Sequence, residues 1–146
     1  MKRIQVSEHF YLDEFIDPVI YAKWGERSIQ FIDHRVILAA QFVREKTGRP
    51  VTINNWATKG RFKESGLRRF DTRTGASMSQ HKFGRAIDIK VSGMTPREVF
   101  AIVKAHEDYL IENQIITTIE SLSMTPTWLH LDCRFTGLDR FLIVEP

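Results

Sequence analysis

The chain has 146 residues, of which 42% are apolar and 27% are charged, proportions that are ordinary for a folded protein and exclude a disordered one. A chain of this length can bury a full core as one domain, residues 1–146, without disulfides or a stapling metal. Its only cysteine, Cys133, excludes an internal disulfide and a cysteine-rich zinc site, so any metal must be held by histidines and carboxylates.

The N-terminal segment MKRIQVSEHFYLDEF begins with basic residues but lacks the apolar stretch of a signal peptide. No later segment has the length and apolar composition of a membrane span. We therefore expect a protein that is cytoplasmic as synthesised and does not insert into membranes.

Two helices are predicted in the first third of the chain. Ser7 is expected to cap a short helix over residues 8–15, with Phe10, Leu12 and Phe15 on one side. Apolar residues at three-to-four spacing predict a longer helix over residues 28–46, which Gly48 and Pro50 would end.

The run VTINNW after Pro50 is rich in β-forming residues and predicts a core strand that ends at Asn54 or Asn55. Residues 57–80 then read as a long loop, and loops of this length in compact domains are usually functional. The loop contains six basic and two acidic residues, which gives it a local charge of 6 − 2 = +4. The basic residues are Lys59, Arg61, Lys63, Arg68, Arg69 and Arg73, and the acidic residues are Glu64 and Asp71. A solvated loop, a rim for anionic substrates and a nucleic-acid patch are the alternatives.

The second half predicts one more helix and two strands. Thr95 would cap a helix over residues 95–110 with Pro96 at its first position. IITTIE, 115–120, and TWLHLDCR, 127–134, predict strands joined by a turn. The expected fold class is α+β, with a small antiparallel sheet that carries a metal site and packs against helices.

The stretch SQHKFGRAIDI places His81 and Asp88 seven residues apart. A continuous helix would separate them by about 10 Å, and a straight strand would send them to opposite faces about 23 Å apart. The spacing favours a turn near Gly84, with His81 on a loop or strand end and Asp88 on a returning buried strand.

Strict alternation along WLHLDCR puts Trp128, His130, Asp132 and Arg134 on one face of the last strand and apolar residues on the other. With the hairpin turn centred near Met124, Glu120 would lie opposite Trp128 and diagonal to His130. His81, Asp88 and His130 together would provide two imidazoles and one carboxylate, the ligand set expected for a catalytic zinc ion, Zn2+, with one position open to water. Glu120 would then be the general base that takes the proton of the water.

These motifs resemble those of the zinc D-Ala-D-Ala carboxypeptidase-like peptidases, a family that includes phage endolysin peptidases and shares its zinc fold with hedgehog domains. SQHKFGRAIDI is similar to the signature Ser-x-His-x-x-Gly-x-Ala-x-Asp-Ile, and TWLHLD resembles the closing strand with an aromatic residue before the third ligand. SGLR, residues 65–68, resembles a Ser-Gly-Tyr-Arg segment upstream of the first ligand, with Leu67 in the tyrosine position.

The resemblance implies metal-dependent cleavage of peptidoglycan stem peptides, at a terminal D-Ala-D-Ala bond or at an internal L,D or D,D bond. By the same resemblance, Arg68 would bind the scissile carbonyl or a substrate carboxylate, with Arg61 and Arg69 as rivals and Ser79 and Trp128 as further substrate contacts. Many members carry the catalytic carboxylate just before the last ligand, where this chain has Thr125, Pro126 and Thr127. The base is therefore expected to be Glu120, with Asp132 as the second choice.

We expect a monomeric metallopeptidase, a hydrolase that degrades cell-wall peptide and reaches the wall during phage lysis. The basic loop directly precedes His81, a position that favours contact with peptide carboxylates over nucleic acid, and no interleaved aromatic platform supports nucleic-acid binding. The alternative is a non-catalytic zinc-containing module that binds the cell wall or builds a virion.

Overall fold

The computed structural model describes residues 1–145, which form an α+β fold as predicted. Its α-helices are α1 (Pro18–Trp24), α2 (His34–Thr47), α3 (Pro96–Ala105) and α4 (Glu107–Glu112). Its strands are β1 (Val51–Thr52), β2 (Ala86–Val91), β3 (Thr118–Glu120), β4 (Leu129–Asp132) and β5 (Leu142–Val144). Within the described residues, no helix combines the length and apolar character needed to cross a bilayer.

The five strands form one sheet in the order β1-β2-β4-β3-β5. The first three pairs are antiparallel, as expected, but β3 and β5 run parallel, so the sheet is mixed. Strand β5 was not predicted from the sequence. It lengthens the sheet beside β3, the strand that carries Glu120.

One face of the sheet is apolar and packs against α2 and α3. The inward side chains of β2, β3 and β4 are at most 1% exposed: Ile87, Ile89, Ile119, Leu129 and Leu131. The predicted alternation along β4 is confirmed, because its apolar residues enter this core while its polar residues lie on the opposite face. The polar face is the one that is free to build a site.

The prediction of an N-terminal helix capped by Ser7 was wrong. Phe10, Leu12 and Phe15 are all buried, yet Ser7 caps no helix, because its hydroxyl donates to Oε1 of Gln41 at 2.9 Å. The segment instead folds back on itself through backbone hydrogen bonds, including Leu12 N to Ile4 O at 2.8 Å. Only Leu12–Phe15 is helical, as a short 3-10 turn.

The long helix begins at His34 rather than at Ser28. The Asp33 carboxylate caps it by accepting from Arg35 N at 3.0 Å, and Ile32 before it is extended. Residues Gly25–Phe31 form a separate 3-10 helix. The predicted stop is confirmed, since Gly48 ends the helix in the left-handed conformation with φ 65°.

The predicted helix over residues 95–110 and the predicted strand after Pro50 were right at their starts and wrong at their ends. Thr95 caps α3, as expected, but the helix breaks at His106 (φ −112°, ψ 20°) before α4 begins. Strand β1 ends at Thr52, because Asn54 turns to other partners and donates its backbone N–H to Glu14 O at 3.1 Å.

Candidate metal centre

Three neighbouring strands place one ionisable residue each in a single row across the polar face. Asp88 on β2 pairs directly with His130 on β4. The β3–β4 register pairs Thr118 with Asp132, and continuing it puts Glu120 opposite His130. We expected Glu120 to lie diagonal to His130, so the hairpin register differs from the prediction by two residues. The result is a closer carboxylate, with Glu120 Oε2 at 3.7 Å from His130 Nδ1.

His81 reaches the row from a 3-10 turn, Gln80–Phe83, that ends at Gly84. Ser79 caps this turn, since its hydroxyl accepts from His81 N at 3.3 Å. Gly84 has φ 68°, and a Cβ atom there would lie 2.0 Å from the carbonyl oxygen of Phe31. Only glycine combines that conformation with that close approach, so the predicted turn near Gly84 is confirmed.

His81, Asp88 and His130 are buried, and each offers one donor atom within 4.8 Å of the other two. Asp88 Oδ1 lies 3.2 Å from His81 Nε2 and 3.0 Å from His130 Nδ1. Donors at tetrahedral angles around an ion with bonds of about 2.1 Å are separated by about 3.4 Å. The spacing of the two nitrogens about this oxygen is therefore close to that of a metal coordination sphere, and the three residues can hold a metal ion.

Each donor residue is oriented by a second partner on its far side. His81 Nδ1 donates to the carbonyl oxygen of Gly66 at 2.9 Å, which leaves Nε2 free for a metal. His130 Nε2 donates to Asp132 Oδ2 at 2.9 Å, which leaves Nδ1 free. Such hydrogen bonds fix the tautomer and direction of ligand imidazoles.

Arg68 completes the outer layer by donating from its guanidinium to Asp88 Oδ2 at 3.0 Å, so that Asp88 Oδ1 alone faces the imidazoles. The same side chain is held by the backbone carbonyl of Glu64, at 2.6 Å from Nε. Arg68 is thus a fixed, buried cation beside the donor cluster.

The charges of the cluster are strongly coupled. Burial disfavours ionisation of Asp88, but the adjacent His81 and His130 outweigh it and hold the pKa of Asp88 well below its usual range. Burial also opposes protonation of His130, yet its hydrogen bonds to Asp132 and Asp88 raise its pKa to about 9. For His81 burial prevails and lowers the pKa. A metal cation bound between the three residues would replace the proton that His130 Nδ1 shares with Asp88 Oδ1.

A cleft opens over the donor cluster. One part, a cavity of about 470 Å³, is lined by the three donors together with Glu120, Ser79, Trp128 and Arg134. A second cavity of about 660 Å³ shares Arg68, Asp88 and Trp128 with the first and extends to Arg61 and Lys90. We call the two parts the metal chamber and the basic chamber. A substrate can therefore approach the donors from the side that carries Glu120.

The predicted site residues fall into two groups. His81, Asp88, His130, Glu120, Arg68, Ser79 and Trp128 line the metal chamber, whereas Arg61 is exposed and lines the basic chamber. Arg69, the third arginine considered, lies outside both chambers, within 3.7 Å of Asp17.

Asp132, the second choice for the base, lines neither chamber. Its side chain is fully buried behind His130 and also accepts from Arg134 Nε at 2.8 Å. With both oxygens occupied on the far side of the imidazole, Asp132 is suited to positioning His130 rather than to removing a proton from water.

Sequence reasoning missed Lys90 and the C-terminal segment that includes β5. Lys90 lies two residues beyond Asp88 on β2, so the alternation that identified the last strand would have placed it on the same polar face. Burial lowers the pKa of Lys90, and nearby Asp88 opposes that shift. Val144 and Glu145 line the metal chamber as well, but no local signal indicated that the C-terminal strand pairs with β3.

Comparison with family models, curated proteins and solved structures finds no match for this chain. The resemblance of SQHKFGRAIDI and TWLHLD to a peptidase family therefore stands on those residues alone. What the fold adds is that both motifs meet at one buried His-Asp-His cluster beneath a cleft.

Proposed function

We propose that the protein is a zinc-dependent peptidase that hydrolyses peptide bonds in peptidoglycan stem peptides. The observation that carries the proposal is a buried two-histidine, one-aspartate cluster that opens on one side into a cleft, with a carboxylate 3.7 Å from one donor nitrogen. This donor set is typical of catalytic zinc, whereas Mg²⁺ and Ca²⁺ prefer all-oxygen sites. Iron(II) also uses two histidines and a carboxylate, so metal analysis belongs to the test.

Zinc bound by His81, Asp88 and His130 would lower the pKa of water and polarise a substrate carbonyl. Glu120 is the residue placed to accept a proton, because its carboxylate lines the metal chamber and remains 21% exposed. Proton transfer from Glu120 to the leaving amine would complete hydrolysis.

Arg68 contributes a fixed positive charge at the point where the two chambers meet. Its guanidinium is anchored on Asp88 and on the Glu64 carbonyl, and the side chain lines both chambers. A planar cation held in this way can bind a carbonyl oxygen as negative charge develops on it.

The alternative function is that of a non-catalytic module that binds the cell wall or forms a structural part of a virion. It was suggested by the absence of a carboxylate at residues 125–127. The nearness of Glu120 to His130 favours the enzyme, because a carboxylate from the neighbouring strand occupies the same side of the donor cluster.

The test combines metal analysis with digestion of purified muropeptides, followed by mass spectrometry of the new peptide ends. We expect one zinc per chain, a rise in melting temperature on adding zinc, and cleavage. Glu120→Gln should fold and bind zinc normally but hydrolyse about 10²–10⁴ times more slowly. A zinc-loaded protein that cleaves no muropeptide of any cross-linking type would replace the peptidase with the non-catalytic module.

A further inference from the structure

The basic chamber contains a lysine with no acidic partner. The ammonium of Lys90 lies 3.4 Å from the hydroxyl of Ser65 and 4.0 Å from the centre of the Phe62 ring, both of them neutral groups. Among residues 1–145, no carboxylate oxygen lies within 4.0 Å of Lys90 Nζ. A half-buried ammonium without a counter-ion is costly unless an anion joins it.

The two acids that line the basic chamber are already engaged. Asp88 uses one oxygen for the two imidazoles and the other for Arg68. Glu64, on the chamber wall, accepts from the hydroxyl groups of Thr72 and Thr74. Moving either carboxylate to Lys90 would break these contacts.

The rest of the basic chamber adds positive charge. Arg61 and Lys63 line it and form no salt bridge within residues 1–145. Lys90 is the innermost of these three cations, because it rises from the sheet beside Asp88, while Arg61 and Lys63 are exposed on the loop above. Besides Arg68, which is paired with Asp88, the chamber thus presents one unpaired cation at its floor and two exposed ones at its rim.

We propose that Lys90, with Arg61 at the rim, forms a carboxylate-binding subsite that selects peptides carrying a free carboxylate beside the bond to be cleaved. As a statement about cleavage this rests on the proposed peptidase function, whereas the binding itself does not. The carboxylate is either the C-terminus of the peptide or an acidic side chain.

The strand sets the distance between the two subsites. Two residues of β2 separate Asp88 from Lys90, about 6.6 Å along the strand. An extended peptide advances about 3.4 Å per residue, so a peptide that lay along β2 with its scissile bond at the donor cluster would bring a carboxylate one or two residues away over Lys90.

The experiment measures binding, so that it does not depend on turnover. Zinc-loaded Glu120→Gln protein is titrated calorimetrically with a stem-type peptide ending in D-Ala-D-Ala and with the same peptide as its C-terminal carboxamide. A second pair carries an internal glutamate or glutamine next to that dipeptide. We expect one acid form to bind about tenfold more tightly than its amide, because a hydrogen bond to a charged group is lost in the amide. The pair that shows the difference identifies the source of the carboxylate.

Lys90→Gln, added to the same protein, should abolish the preference for the acid, and Lys90→Arg should retain most of it. Arg73→Gln is the control, since Arg73 also carries a positive charge, lies on the same loop as Arg61, is exposed and lines neither chamber. The control should keep the full preference. Thermal melts confirm that each variant is folded.

Equal binding of acid and amide by the starting protein in both pairs would overturn the subsite, as would an unchanged preference in Lys90→Gln. These outcomes are separate from failure of the peptidase. A protein that discriminates acid from amide but cleaves no muropeptide would support the subsite and contradict the proposed peptidase function. A protein that cleaves muropeptides without discriminating acid from amide would support the peptidase function and contradict the subsite.

Discussion

The role of Asp132 is testable through the affinity for zinc. Its fully buried carboxylate accepts from His130 Nε2 at 2.9 Å and holds the imidazole with Nδ1 toward Asp88. In Asp132→Asn the acceptor loses its charge, and the amide can also turn its NH2 group toward the ring. Loss of such an outer partner typically weakens metal binding by about 10–100-fold, or about 1.4–2.8 kcal/mol. We expect the upper part of this range, because water does not screen a buried carboxylate.

The assay is competition for zinc against a fluorescent chelator, run on the unmodified protein, Asp132→Asn and Glu120→Gln. Circular dichroism verifies the fold of each variant. We expect Asp132→Asn alone to shift the dissociation constant and, at saturating zinc, to keep most of its turnover. If Asp132→Asn instead binds zinc normally and loses as much turnover as Glu120→Gln is expected to lose, Asp132 is the base and the positioning argument fails.

Arg68→Lys should reduce turnover about 10²–10³-fold at unchanged zinc content, because an ammonium cannot keep the contacts to Asp88 and the Glu64 carbonyl while also facing the substrate. Steady-state kinetics with Arg61→Lys as the comparison checks this, and the opposite ranking of the two variants would move the role to Arg61. Gly84→Ala should lower the free energy of unfolding by at least about 2 kcal/mol, because strain at φ 68° is added to a backbone clash with Phe31. Gly137→Ala, at φ 69° with its nearest other side chain at 3.7 Å, should cost only about 1 kcal/mol in urea denaturation; equal losses would mean that the Phe31 backbone yields.

Local patterns in the sequence were sufficient for several parts of the site. Period-two alternation assigned His130 and Asp132 to one face and Leu129 and Leu131 to the core, because side chains of a strand must alternate. The spacing of His81 and Asp88 around a glycine predicted a turn, because neither a helix nor a straight strand brings two such residues to one point. These inferences depend only on backbone geometry within a few residues.

Helix boundaries were less predictable, because tertiary partners compete for the same groups. Ser7 has the chemistry of a cap, but its hydroxyl is used by Gln41, which is distant in sequence. The apolar spacing of residues 28–46 continues across Ile32, yet the Asp33 carboxylate starts the helix only at His34. Periodicity does not reveal where the backbone changes conformation.

By itself, the sequence determined that His81, Asp88 and His130 can be brought together and that Cys133 cannot contribute to a cysteine-rich site. Only the tertiary structure decided which carboxylate faces the donors. Glu120 lies beside His130, and Asp132 behind it, because of the strand register of the β3–β4 pair. The tertiary structure also decided that β5 pairs with β3 and that Lys90 lines the cleft. A shift of two residues in the register keeps every side chain on its face while changing its neighbour, so the alternation along each strand does not determine it.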